Sequence, residues 1–96
     1  SYYYKMTIEE AEQRIFFIKM EKERSNNANH IGINFDAFKD NTIGLWYVIF
    51  VPDNSENPIR IEYSEEKFAI FMADFEKAIK IAKEEEEKIV IFLSIY

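Results

Sequence analysis

The sequence predicts an α+β fold, a single domain over residues 1–96 in which two helices pack on a mixed or antiparallel sheet in the order β-α-β-β-β-α-β. Three observations carry the prediction. Phe68, Phe71, Met72, Phe75, Ala78, Ile79 and Ala82 recur with the period of a helix. Two runs, Ile43 to Val51 and Lys88 to Tyr96, are apolar on both faces, as central strands are. Ile59, Ile61 and Tyr63 alternate with Arg60 and Glu62, the period of a strand with one wet face. With 96 residues and 48% apolar content, the chain can build one core without disulfides, and it has no cysteine to make them.

Each element has a local cause. Tyr2, Tyr4 and Met6 alternate with Tyr3 and Lys5, a short first strand. Thr7 followed by Glu10 is a capping box, and Glu9, Glu10 and Glu12 suit the positive end of a helix dipole. The first helix is therefore expected from about Thr7 to Glu23, with Ile8, Ala11, Ile15 and Ile18 on one stripe. Phe16, Phe17 and Met20 lie off that stripe. That helix is expected either to be buried on more than one side or to become extended in its second half. Residues 24–30 read as a polar loop, and Ile31, Ile33 and Phe35 alternate with Gly32, Asn34 and Asp36 as a half-buried strand. Pro52 to Pro58 is a second loop, and Ser64 is the expected N-cap of the second helix.

Charge narrows the partners. Eighteen acids against twelve bases give a net charge of −6, which disfavours direct binding to nucleic acid or to an anionic membrane surface. A basic protein surface, such as the groove of a nucleic-acid-binding enzyme, is the better match. The longest apolar run, Leu45 to Val51, is far short of the roughly 18 residues that span a bilayer, and the first residues carry no apolar signal core. A cytoplasmic protein is expected. Isoleucine (15), lysine (9), asparagine (7), phenylalanine (9) and tyrosine (6) are abundant and leucine (2) is scarce, the usage of an AT-rich bacterial genome or one of its phages.

Catalytic parts are few, so an enzyme is not expected. His30 is the single histidine and has no cysteine beside it for a zinc site. Asp36, Asp40 and Asp53 are loop acids in this reading. Asp53, Ser55 and Asn57 alternate in the manner of calcium ligands, but Pro58 stands where such a loop needs glycine. Neither a metal nor a cofactor is called for, and no Gly-rich phosphate loop or nucleophile elbow occurs.

What remains is a surface. If both helices cover one side of the sheet, Trp46 and Phe50, or Tyr47 and Ile49, face outward, as at a protein interface or in a homodimer. Ile70 and Ile81 share one angular position on the second helix, roughly 120–140° from its apolar stripe, beside Asp74 and Lys77. Glu84, Glu85, Glu86 and Glu87 end the same helix, where acids oppose the dipole and only pairs such as Glu76–Lys80 and Lys80–Glu84 offset them. Ile70, Asp74, Ile81, Glu84, Glu85, Glu86, Glu87 and Trp46 are the candidate partner-binding residues. The function expected from them is a small acidic inhibitor that binds and blocks a protein, as in phage counter-defence (anti-CRISPR or anti-restriction) or toxin immunity. The alternative is a ligand-sequestering oligomer holding a nucleotide signal through Arg14, Arg24, Arg60 and Tyr3. Of the aromatic residues, Tyr2 to Tyr4 are the group expected near the surface.

Overall fold

A computed structural model describes residues 1–24 and 35–94 of the protein. Seven elements follow one another: β1 (Tyr2–Thr7), α1 (Ile8–Arg24), β2 (Phe35–Asp40), β3 (Leu45–Phe50), β4 (Ile59–Tyr63), α2 (Glu65–Glu84) and β5 (Ile89–Ser94). The class is α+β, with two helices packed on antiparallel strands. The strands form two sheets, β1 with β5 and β2-β3-β4, and every pairing is antiparallel, so the mixed sheet allowed by the sequence is not used. Of the strand expected over Ile31 to Asp36, the described part, Phe35 and Asp36, lies in β2. Ile31, Gly32, Ile33 and Asn34, like His30, lie outside the described residues. That strand runs on to Asp40, and this corrects the reading of Asp36 and Asp40 as loop acids. The cause is β3: Phe35, Ala37 and Lys39 stand opposite its Phe50, Val48 and Trp46, an apolar row that needs a neighbour.

Local chemistry fixes where each element starts. The Thr7 N–H donates to Glu10 Oε1 at 3.0 Å and the Glu10 N–H donates to Thr7 Oγ1 at 3.0 Å, a reciprocal capping box that opens α1. Ser64 opens α2 by accepting the Lys67 N–H at 3.2 Å. Between β2 and β3 the Gly44 N–H donates to the Asp40 carbonyl at 2.8 Å, and Gly44 takes a φ of 70° that a side chain would resist. The free edge of β1 is occupied by the loop after β3. The Asp53 N–H donates to the Tyr3 carbonyl at 2.8 Å, the Asp53 carboxylate accepts the Lys5 N–H at 2.8 Å, and Asn54 Oδ1 accepts the Tyr3 N–H at 3.3 Å. Asp53 is thus spent on covering a strand edge.

The inner face of the three-stranded sheet is made of Phe35 and Ala37 from β2, Trp46, Val48 and Phe50 from β3, and Ile59, Ile61 and Tyr63 from β4. The stripe Phe68, Phe71, Phe75, Ile79 and Ala82 of α2 lies over it, beside Ala11, Ile15 and Ile18 of α1. Tyr4 of β1 packs against Phe35 (5.3 Å between centroids) and Phe50 (6.5 Å), so both sheets share one core. Trp46 is fully buried, which corrects its assignment to an open face. Its ring stacks on Phe68 at 4.0 Å and 1° between planes, and its Nε1–H donates to Glu65 Oε2 at 2.7 Å. Lys39 of β2 reaches the same carboxylate oxygen at 3.2 Å.

The opposite face of β3 carries Leu45, Tyr47 and Ile49, with both helices on the other side. Tyr47 is nonetheless only 8% exposed. Phe38 of β2 lies 5.5 Å from its ring and the Arg60 guanidinium of β4 sits 4.9 Å above it, so cover comes from the flanking strands of the same sheet.

Two predictions test this construction. Glu65→Ala leaves the buried indole N–H without its acceptor and is expected to cost about 1–3 kcal/mol in urea unfolding. In a Trp46→Phe background, which has no indole N–H to strand, the same change is expected to cost less than about 1 kcal/mol. Equal costs in both backgrounds would contradict the coupling. The carboxyl of Glu10 is held below its usual range, chiefly by the Thr7 N–H, then by the Thr7 hydroxyl and the nearby Arg14 charge. A depressed folded value means the stabilisation is complete above the unfolded pKa of about 4.3 and disappears as pH falls through the folded one. The stability advantage of wild type over Glu10→Gln, followed by thermal unfolding, is therefore expected to be constant at neutral pH and to shrink below about pH 4.

Candidate functional site: the outer face of the helical layer

Two ion pairs show how the helices of the layer are aligned. Lys83 of α2 meets Glu12 of α1 at 2.9 Å, and Lys19 of α1 meets Glu76 of α2 at 2.9 Å. The partners are seven residues apart on each helix but in opposite order, so α1 and α2 run antiparallel side by side. Glu76, expected to pair along its own helix with Lys80, bridges to the other helix instead. A groove between the helices is lined by Glu12, Ile15, Glu76, Ile79, Lys80 and Lys83.

Outside the groove the layer presents apolar side chains to solvent. Ile70 is 62% and Ile81 42% exposed, and Asp74 stands between them on the same face of α2. On α1, Phe16 is 61% and Phe17 52% exposed, with ring centroids 5.8 Å apart in an edge-on arrangement and Glu9, Glu12 and Gln13 around them. The helix is neither buried on a second side there nor extended, which corrects both expectations for Phe16 and Phe17. The surface aromatic group is also relocated. Tyr4 is buried, and Tyr2 and Tyr3 are half-buried. The signal for Phe16 and Phe17 was present as two residues off the apolar stripe, but the sequence alone offered no reason to leave both in water.

The acidic run ends α2 in a defined turn. Glu84 is its last helical residue and Glu85 its C-cap, and all four side chains of Glu84 to Glu87 are exposed. The Glu87 N–H donates to the Ala82 carbonyl at 2.8 Å and the Glu86 N–H to the Lys83 carbonyl at 3.3 Å, a Schellman motif. Its left-handed position is held by Glu86, with φ 57°, where glycine is the usual occupant. Among the described residues, Glu84 to Glu87 make no side-chain hydrogen bond or ion pair. Because the helices are antiparallel, this end of α2 lies beside the first turns of α1, with its Glu9, Glu10 and Glu12. Two acidic segments far apart in sequence form one acidic end of the layer.

The residues of the ligand alternative are not gathered. Arg14 is half-buried on α1, with its Nε buried and making no hydrogen bond among the described residues. Arg60 lies against Tyr47 on the far side of the three-stranded sheet. Tyr3 is on β1, with Lys5 Nζ 5.7 Å from its ring. Arg24 closes α1, and its side chain is outside what the structure describes. Among the described residues no group of three or more acids or histidines is placed to hold a metal ion. No helix among them is long and apolar enough to cross a membrane.

The turn at Glu86 generates its own test. Glu86→Gly relieves the left-handed strain and is expected to raise stability by about 1 kcal/mol, while Glu86→Ala, which keeps a Cβ, is expected to give no such gain. Chemical denaturation of the three proteins checks it, and equal stability of the Gly and Ala variants would contradict the assigned strain. Compared with protein-family models, with curated proteins and with solved structures, the chain has no match.

Proposed function

We propose that this chain is a small, non-catalytic, acidic inhibitor that acts by binding a partner protein and blocking it. Phage counter-defence of the anti-CRISPR or anti-restriction type and toxin immunity both work in this way, and a basic nucleic-acid-binding enzyme is the partner its charge suits. The observation that carries the reading is the outer helical face. There, isoleucines more than two-fifths exposed lie on the helix that ends in four acids, none of them neutralised among the described residues. Two exposed isoleucines aligned on one helix face fit a contact surface, and charge of one sign beside them would select the partner and speed encounter. The net charge of −6 acts in the same direction.

Two variants test it without touching the core: Ile70→Asp with Ile81→Asp, and Glu84 to Glu87 reversed to lysine. Both are expected to keep the wild-type circular dichroism spectrum and to weaken binding to, and inhibition of, the captured partner by about tenfold or more. Inhibition by both variants at wild-type strength would remove this face from the function.

A further inference from the structure

The edge of β1 that faces away from β5 is closed by two residues that imitate a strand. In an antiparallel pair, backbone groups turn alternately toward the partner strand and toward the free side, and Tyr3 and Lys5 are the residues of β1 that face the free side. A turn from Pro52 to Ser55 meets them there. The Asp53 N–H donates to the Tyr3 carbonyl at 2.8 Å, and the Asp53 carboxylate accepts the Lys5 N–H at 2.8 Å. Asn54 Nδ2 donates to the Ser1 carbonyl at 3.1 Å, and Asn54 Oδ1 accepts the Tyr3 N–H at 3.3 Å. Each of the two residues thus gives one hydrogen and takes one, bridging edge residues two apart, as a residue of a neighbouring strand does across a ladder.

The turn closes this edge without continuing it. The Ser55 N–H folds back to the Pro52 carbonyl at 3.1 Å, and Pro52 and Pro58 have no N–H to offer a further strand. Pro52 is fully buried, which anchors the turn against the core. The sheet behind the covered edge is one that needs cover. Tyr2, Tyr3 and Tyr4 are strong strand formers, and the partner strand, Ile89–Ser94, reads IVIFLS, with no charge, proline or glycine. Such segments pair edge to edge between chains when their backbone groups are left open. We infer that Asp53 and Asn54 are a guard that keeps β1 from pairing with β1 of a second copy of this chain. Without the guard, two copies join about a two-fold axis into one sheet, in the order β5-β1-β1-β5. The guard uses none of the residues of the outer helical face and stands independently of the inhibitor reading.

The test follows self-association of the whole chain by sedimentation equilibrium, with amide exchange to locate it. Asp53→Ala with Asn54→Ala removes three of the four bonds and is expected to tighten self-association by about tenfold or more over wild type. In dilute solution the Tyr3 and Lys5 amides of that variant are expected to exchange about tenfold faster than in wild type, and to regain protection as concentration rises. Adding Lys5→Pro, which removes the N–H that Asp53 takes, is expected to return association to the wild-type level, since proline is tolerated at an outward edge position. Glu56→Ala removes one acid from the same loop, as Asp53→Ala does, and is expected to change association less than about twofold. Asn54→Ala alone, an exposed change that keeps both Asp53 bonds, carries the test if the double variant loses its helical circular dichroism, and is expected to tighten association by about threefold or more. Association of the guard variants at the wild-type level, association that Lys5→Pro does not relieve, or an equal rise in Glu56→Ala would each overturn the guard.

Discussion

The indole of Trp46 sits where three elements meet, and their relative placement depends on it. Its face stacks on Phe68 of α2, its N–H is taken by Glu65 in the first turn of the same helix, and Lys39 of the adjacent strand shares that carboxylate. A buried indole N–H must find an acceptor. The acceptor therefore fixes the start of α2 over the centre of the sheet, and the stripe from Phe68 to Ala82 follows. Once α2 is placed, α1 packs beside it through Ala11, Ile15 and Ile18, with Lys83 meeting Glu12 and Lys19 meeting Glu76 across the pair. Each exposed pair is weak in water, so they mark a register that the packing of Ala11, Ile15 and Ile18 beside the α2 stripe enforces.

That placement has a consequence for the surface. With both helices on the Trp46 side, the sheet's other face is closed within its own plane, Arg60 and Phe38 lying against Tyr47. The apolar side chains left in water are then mostly those pointing away from the sheet on the helices. The antiparallel arrangement also joins the acids at the start of α1 to those at the end of α2. At the start of α1 the acids are favourable, since Glu10 completes a cap and the dipole welcomes negative charge. At the end of α2 they oppose the dipole, each at a cost of about 0.3–1 kcal/mol, and Glu86 adds a left-handed backbone. Stability alone does not select such residues there, whereas a cationic partner would.

The fold was legible wherever periodicity met a local cap. The α2 stripe with Ser64 before it, the Thr7–Glu10 box and the alternation in β4 each follow from their own residues. The choice of face was not legible in β3, because Trp46 and Tyr47 are both aromatic and neighbours in sequence. What separates them is a carboxylate nineteen residues on and an arginine on the next strand. The run of β2 beyond Asp36 to Asp40 was hidden for a similar reason, since pairing with β3 overrides the turn preference of aspartate. In the candidate site, Ile70 and Ile81 could be read from spacing. Phe16 and Phe17 could not, because a residue off an apolar stripe is resolved into a second buried side or an exposed face only by what packs around it. The meeting of two acidic segments some seventy residues apart needed the helix register.

Affinity capture by the intact chain from lysate of an AT-rich bacterial host, at low and moderate salt and read by mass spectrometry, tests the central claim most directly. The account predicts one protein recovered near equal stoichiometry, basic in composition, and lost as salt screens the acidic end. Recovery of the chain alone at both salt concentrations would contradict it.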